Sequence, residues 1–347
     1  MDGEFQRILR EHLLRYPAME PQDCGKLAFQ SEFGPEHLAP DRARFLAMLE
    51  EEWQPLFADG RVSWEDIGGG LCRLHLGGPC SRAGAELLSE MFLRTAAVHT
   101  GTRSALEEKL RLLAGTGLPG MESWLAEYRS RGCPAVHHSA AFREAYRPHY
   151  RVILKKYGQF FPALLAVWEL TRKQKAAVVA VDGRCGSGKT TLARTMESLM
   201  NCRVFHMDDF YLPPADRAPN WREQPAGNMD LRRFRREVLE PACQGQDVVF
   251  RPYDCASGQL ADPVKMPARP LTVIEGSYSH HPELSGAYDL RIFLTCGGEE
   301  QTRRLMEREG DYFPMFRDCW IPMEERYFRR FSVESGSDFT MDTGLNG

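Results

Sequence analysis

VDGRCGSGKTTLA, residues Val181 to Ala193, contains the pattern G-x-x-x-x-G-K-[ST] in full, with Gly183, Gly188, Lys189 and Thr190 at its fixed points. The β-branched run AVVAV (177–181) precedes it and TLARTMESLM, with apolar residues at helical spacing, follows. The glycines therefore lie between a buried strand and a helix N-terminus, which is the context the pattern requires. There the backbone can turn several N–H groups inward, and the helix dipole adds positive potential. Gly183, Gly186, Ser187, Gly188, Lys189, Thr190 and Thr191 are the candidates for holding a nucleoside triphosphate. Lys189 supplies a mobile charge to the outer phosphates, and the Thr190 hydroxyl is a ligand for Mg²⁺. A small residue filling a tight loop is the reading given to Cys185.

The chain has 347 residues, a net charge of -4 and ten cysteines with no C-x-x-C pair. That length exceeds one typical core, so two domains are expected, 1–155 and 156–347. The mild acidity gives no reason to expect nucleic acid or an anionic membrane as partner. No run approaches the ~20 apolar residues of a membrane helix. MDGEFQRILR carries an early acid and no apolar signal core, and the scattered cysteines fit reduced thiols. The expected location is the cytoplasm.

In the first half, helices are expected over Phe5 to Tyr16, closed by Pro17, and from Asp41 to Trp53, with others at Ala85–Val98, Ser104–Leu113, Met121–Arg129 and Ala140–Leu154. Strand signal is confined to GLCRLHL (70–76), so the first domain reads as mainly helical. Its polar residues His37, Arg73, His75, His137, His138, Ser139, Arg143, Arg147 and His149 have two readings. They form an anion or substrate pocket, or they are caps and surface groups, since no metal template fits their spacing. This domain covers the acceptor site, mediates self-association into a homo-oligomer, or performs a second step on the same metabolite.

In the second half, strands alternate with helices: AVVAV, a short strand at Val204–Phe205, DVVF, LTVIE and DLRIFL. The expected fold class is α/β, a P-loop NTPase-type parallel sheet flanked by helices and preceded by the helical domain. Ligands of such sheets lie at the strands' carboxyl ends, where this chain carries Asp208, Asp209 and Glu275. Glu275, closing an apolar strand, is assigned to Mg²⁺ directly or through water. Asp208 and Asp209 are adjacent, and in extended chain they point to opposite sides. Arg303, Arg304 and Arg308 form a solvated basic face or a lid over the transferred phosphate.

From Ala176 to Phe331 the chain resembles the uridine kinase and phosphoribulokinase family of small-molecule P-loop kinases. GRCGSGKTT is similar to its phosphate loop, HMDDFYLP to its strand-end acid followed by an aromatic pair, and VIEGSYS to the strand of its Mg²⁺-linked acid. The resemblance implies Asp208 as general base, Tyr253 and Asp254 of RPYDC as acceptor contacts, and TRRLMERE as an arginine-bearing lid with Arg303, Arg304 and Arg308. The family's ribose-binding D-H-P segment is replaced by GNMDLRRF, which leaves Asn228 or Asp230 for that role. CASG stands where a pyrimidine-binding His is expected. The function implied is transfer of phosphate from ATP, with Mg²⁺, to a hydroxyl of a small metabolite. A nucleoside comes first as acceptor. A pantothenate-, sugar-phosphate- or nicotinamide riboside-like alcohol is the alternative. A third reading is a switch in which ATP occupancy controls the first domain.

Overall fold

Apolar residues at helical spacing carry most of the first 159 residues into helices: α1 (Asp2–Arg15), α2 (Pro21–Phe33) and α3 (Arg42–Trp53), then α4 (Arg82–Val98), α5 (Arg103–Ala114), α6 (Met121–Ser130), α7 (Ala140–Tyr146) and α8 (Lys155–Gln159). The structure, a computed structural model, describes residues 2–35, 41–53, 62–77 and 81–344. Its contacts divide the chain into two units, one running to Gln159 and one starting at Phe160. Within the first, β1 (Ser63–Gly68), β2 (Leu71–His75) and β3 (Tyr150–Leu154) form an antiparallel sheet in the order β1-β2-β3. Leu71 to Leu74 of the central strand are all buried, which is why this segment lacks strict alternation. Leu27, Ile67, Leu71, Leu110, Leu125 and Phe142 belong to its core.

Two expectations fail here: strand is not confined to 70–76, since β1 and β3 flank β2, and one helix is shorter than expected. The helix expected over Ala140–Leu154 stops at Tyr146: Arg147 takes a left-handed φ of 42°, Pro148 cannot continue the helix, and the chain turns into β3. α2 is not among the expected helices; its buried face mixes Leu27, Ala28 and Phe29 with Asp23, Gln30 and Ser31, polar groups held by hydrogen bonds.

The second unit begins with α9 (Phe161–Lys173), β4 (Ala177–Gly183), α10 (Lys189–Leu199) and β5 (Cys202–His206). Next, α11 (Leu231–Phe234) continues through a π turn at Arg235–Leu239 into α12 (Glu240–Cys243). Short strands β6 (Val248–Phe250), β7 (Tyr253–Asp254), β8 (Gln259–Leu260) and β9 (Val264–Met266) lead to β10 (Leu271–Glu275) and α13 (Pro282–Ser285). The remainder is β11 (Leu290–Thr295), α14 (Gly298–Glu309), α15 (Phe313–Met315), α16 (Ile321–Phe331) and β12 (Phe339–Asp342).

Five strands in the order β12-β11-β4-β10-β5 form a sheet in which every neighbouring pair is parallel. This is the α/β P-loop NTPase-type fold. All seven residues of β4 are buried, as its unbroken apolar run requires of a central strand. The chain passes from β4 outward to β5, back to β10 beside β4, and then to β11 on β4's other flank, so the order reverses around β4 and a ligand crevice opens at its carboxyl end. DVVF stays outside this sheet. Val249 is 53% exposed, so β6 has one buried face and pairs antiparallel with β9.

Candidate active site

The loop after β4 is shaped by three glycines with φ of 140° (Gly183), 77° (Gly186) and 99° (Gly188). A side chain at Gly183 would also run into the Leu294 backbone of β11. Gly188 is the N-cap of α10, so the first amides of that helix point into the loop. The Lys189 ammonium donates to the Gly183 carbonyl at 2.7 Å and the Arg184 carbonyl at 3.2 Å. Thr190 and Thr191 are exposed in the first turn of α10, whereas Ser187 is fully buried and its Oγ has no partner among the described residues.

Register brings the acids to this loop. Glu275, the last residue of β10, lies opposite Val181 of β4 on one side and His206 of β5 on the other. The Thr190 hydroxyl donates to its carboxylate at 3.2 Å, and His206 Nδ1 lies 2.6 Å from it. That carboxylate raises the His206 pKa against the opposing effect of burial. A hydroxyl and a carboxylate oxygen side by side are hard donors of the kind Mg²⁺ takes alongside water and phosphate. Among the described residues no cluster of three or more His, Cys, Asp or Glu could hold an ion unaided. The donor set thus fits a magnesium that arrives with a phosphate, and the glycine cradle fits the phosphate itself.

Asp208 and Asp209 lie in a 3-10 turn, Met207–Phe210, and not in extended chain, so the alternation expected of them does not apply. Asp208 is exposed and accepts the Tyr211 hydroxyl at 2.6 Å. Asp209 is half-buried, and burial pushes its pKa up. Asn228 is buried and its Oδ1 has no donor among the described residues. Asp230, in contrast, caps α11 through the Arg233 amide at 3.0 Å and faces the Arg233 guanidinium at 3.4 Å. Tyr253 is buried in β7 with its ring edge-on to Tyr211, centroids 6.3 Å apart. The Asp254 carboxylate accepts the amides of Ala256 and Ser257, which closes its own hairpin.

The arginines of α14 separate. Arg303 is paired with Glu300 and Glu307, and Arg308 with Glu309. Arg304 reaches the loop, donating to the Gly186 carbonyl at 3.1 Å and to Thr343. Thr343 in turn donates to the Ser187 carbonyl at 2.7 Å.

Several supports had no sequence signal. Asp182, fully buried at the end of β4, accepts from the amides of Gly183 and His280 and from the Tyr327 hydroxyl at 2.7, 2.9 and 2.8 Å. Buried Glu324 of α16 accepts the Cys185 amide at 2.9 Å and the Ser277 hydroxyl, and burial raises its pKa despite Lys189 nearby. Cys185 is a packed thiol whose pKa burial raises, in keeping with a filler role.

In the first unit, Arg73 is wholly buried between Gln30 and Glu65, Ser139 caps α7, His75 faces Glu65 at 3.4 Å and His149 faces Glu52 at 3.0 Å. His138 is held at both ring nitrogens, by Asp23 and Tyr150. His37 lies outside the described residues.

The sequence matches no family model and no curated protein. Among solved structures the chain is similar to a possible uridine kinase from Bacillus stearothermophilus, at 20% identity over 50% of this chain and 96% of that one, with a TM-score of 0.39. It is also similar to a protein assigned as a fructose transport system kinase from a Silicibacter species, at 22% identity over 52% of this chain and 97% of that one, with a TM-score of 0.42. Both likenesses concern fold alone.

Proposed function

We propose that the second unit transfers the γ-phosphoryl group of ATP to a hydroxyl of a small metabolite, a nucleoside being the first acceptor class to test. The observation that carries this reading is the pairing of Thr190 with Glu275, 3.2 Å apart at the N-terminus of α10, beside a loop of left-handed glycines. Phosphoryl transfer needs positioning and charge stabilisation more than covalent help. Amides between Gly183 and Thr191 cradle the phosphates, and Lys189 exchanges its two loop carbonyls for phosphate oxygens. Thr190 and Glu275 would hold Mg²⁺, which would supply neutralisation of the phosphate charge. Asp208 accepts the proton of the attacking hydroxyl, oriented by Tyr211, and Arg304 steadies the loop, while Arg303 and Arg308 of the same helix are the candidates for closing over the transfer. Asn228, with a spare acceptor oxygen, and Tyr253 contact the acceptor.

A second acceptor class is favoured by one observation. Asp230 and Asp254, the carboxylates offered to a nucleoside by the family resemblance, are committed to α11 and to the hairpin. That commitment suits a pantothenate- or sugar-phosphate-like alcohol, while a nicotinamide riboside-like one, itself a ribonucleoside, is tested with the nucleosides. The test is ADP formation with ATP, Mg²⁺ and pooled nucleosides and alcohols. Acceptor-dependent ADP is expected, abolished by Lys189→Ala. Asp208→Asn should lower kcat about 10²- to 10⁴-fold, with a much smaller change in KM for ATP. ADP release indifferent to every acceptor would instead support an ATP-driven switch, and full turnover in the Asp208 variant would remove it as base.

A further inference from the structure

The first unit encloses a cavity of about 590 Å³, open to solvent, walled by α2, α3, α4, the segment leading into α7 and the start of β3. Its charge is one-sided. Among the described residues, Lys26, Arg143, Arg147 and Arg151 line it against a single carboxylate, Glu52. That carboxylate is already taken by Arg151 at 2.5 Å and His149 at 3.0 Å. The Lys26 ammonium donates to the Val136 carbonyl at 2.8 Å, and Arg143 Nε to the Ser139 carbonyl at 3.4 Å. Among the described residues, Lys26, Arg143 and Arg147 form no ion pair.

The neighbouring acids are spent as well. Asp23 faces His138 at 2.7 Å. The Tyr150 hydroxyl lies 2.7 Å from the other His138 nitrogen and 3.2 Å from Gln30 Oε1. Gln30 Oε1 accepts two bonds from Arg73, which is itself paired with Glu65. This chain fixes one wall of the cavity, and the carboxylate in it that acts on Lys26, Asp23, is outweighed there by burial and by Arg73. Opposite, Phe45 and Phe92 stack with centroids 4.4 Å apart and, though largely buried, add an apolar patch to the lining. A half-buried ammonium with only a carbonyl for partner is costly to keep charged. Burial, with Arg73 nearby, lowers the Lys26 pKa to about 8.

We propose that this cavity is a second ligand site, which binds a small organic anion by a phosphate or carboxylate group on Lys26, Arg143 and Arg147, with its apolar body against Phe45 and Phe92. The site stands apart from the kinase reading and does not depend on it. Three cations with no acidic partner among the described residues, around a preorganised wall, recognise an anionic head group, and the aromatic pair selects one attached to an apolar body.

Isothermal titration of the full chain with phenyl phosphate, benzoate and benzyl alcohol tests this, in saturating ADP and Mg²⁺ and again in a Lys189→Ala background, so that the phosphate loop contributes nothing. At least one anion should bind with unit stoichiometry and benzyl alcohol should not; the tighter anion identifies the head group. Lys26→Met should weaken binding about tenfold or more, as loss of a charge-assisted contact does. If Lys26→Met fails to fold, the double variant Arg143→Gln/Arg147→Gln, at exposed rim positions, carries the same expectation. The proposal falls if neither anion binds up to about 10 mM, a range that captures even millimolar ligands. Equal binding of the alcohol, affinity unmoved by these variants, or loss of binding in ADP or in Lys189→Ala would each overturn it too.

Discussion

His138 sits in a conflict between two charges. Burial lowers its pKa to about 4 from an ordinary 6.5, against the raising effect of Asp23 and in concert with Arg73 and Lys26. A neutral ring accounts for its contacts, Nδ1–H donating to Asp23 and Nε2 accepting from Tyr150. The folded pKa lies below the unfolded value, so the unfolded chain binds a proton between pH 6.5 and 4 that the folded chain does not. Stability is therefore fully present above pH 6.5 and is lost as pH falls toward 4. Urea unfolding of wild type and His138→Gln across this range should show their difference shrinking toward acid, by no more than about 3 kcal/mol. A difference that grows toward acid would mean that His138 is protonated in the fold and ion-paired with Asp23. At this scale legibility followed chain distance. Lys189, Thr190 and the glycines are near neighbours whose spacing states a chemistry. Asp182 lies in the same stretch, but its partners His280 and Tyr327 are 98 and 145 residues away, and nothing local marks it. Asn228 and Asp230 were indistinguishable in the sequence, since only the helix start at Leu231 spends one of them.

The elements that announced themselves are those buried on both faces. β4 and β10 read as continuous apolar runs and became adjacent central strands with Glu275 at the edge of the crevice. β12 did not, because only Phe339 and Met341 of its four residues are partly covered, and a parallel edge strand gains its place from β11 and not from its own composition. Yet the turn after this strand is tied to the candidate site. Thr343 is buried, takes the Thr295 carbonyl with its amide at 2.8 Å, and spans Ser187 and Arg304. It thereby joins the end of the sheet, α14 and the phosphate loop. Thr343→Val keeps the side chain's shape and removes the hydroxyl, leaving the Ser187 carbonyl and Arg304 short of a partner. We expect a loss of about 1–2 kcal/mol in urea unfolding and a several-fold weaker ADP affinity by titration calorimetry. Unchanged stability and affinity would show that the loop keeps its shape without this tie.

Over the whole chain, length leads to two domains with a join after residue 155, and contacts within the structure divide after Gln159. Lys155–Gln159 form α8, which packs on the first unit's sheet. Tyr157 is 3% exposed, and Gly158 lies so close to Cys72 that a Cβ there would stand 2.5 Å from its sulfur and 3.2 Å from Trp64 Cβ. The reason is physical: a five-residue helix has too few turns to show a period, and its attachment depends on a small residue fitting against a strand far away in sequence. Each unit has its own apolar cluster, one around Leu27, Leu110 and Phe142, the other around Phe205, Phe234, Phe293 and Phe328. We therefore expect the fragment 160–347 to unfold cooperatively and to bind ADP in the presence of Mg²⁺, and the fragment 1–159 to fold separately. A fragment ending at residue 155 loses α8 and the burial of Tyr157. Its unfolding free energy in urea should be lower than that of 1–159 by about 2–4 kcal/mol, the cost of stripping one large buried side chain and uncovering the sheet beneath. Equal stability of the two fragments would return the join to residue 155. Failure of 160–347 to fold without the first unit would make the two a single cooperative structure.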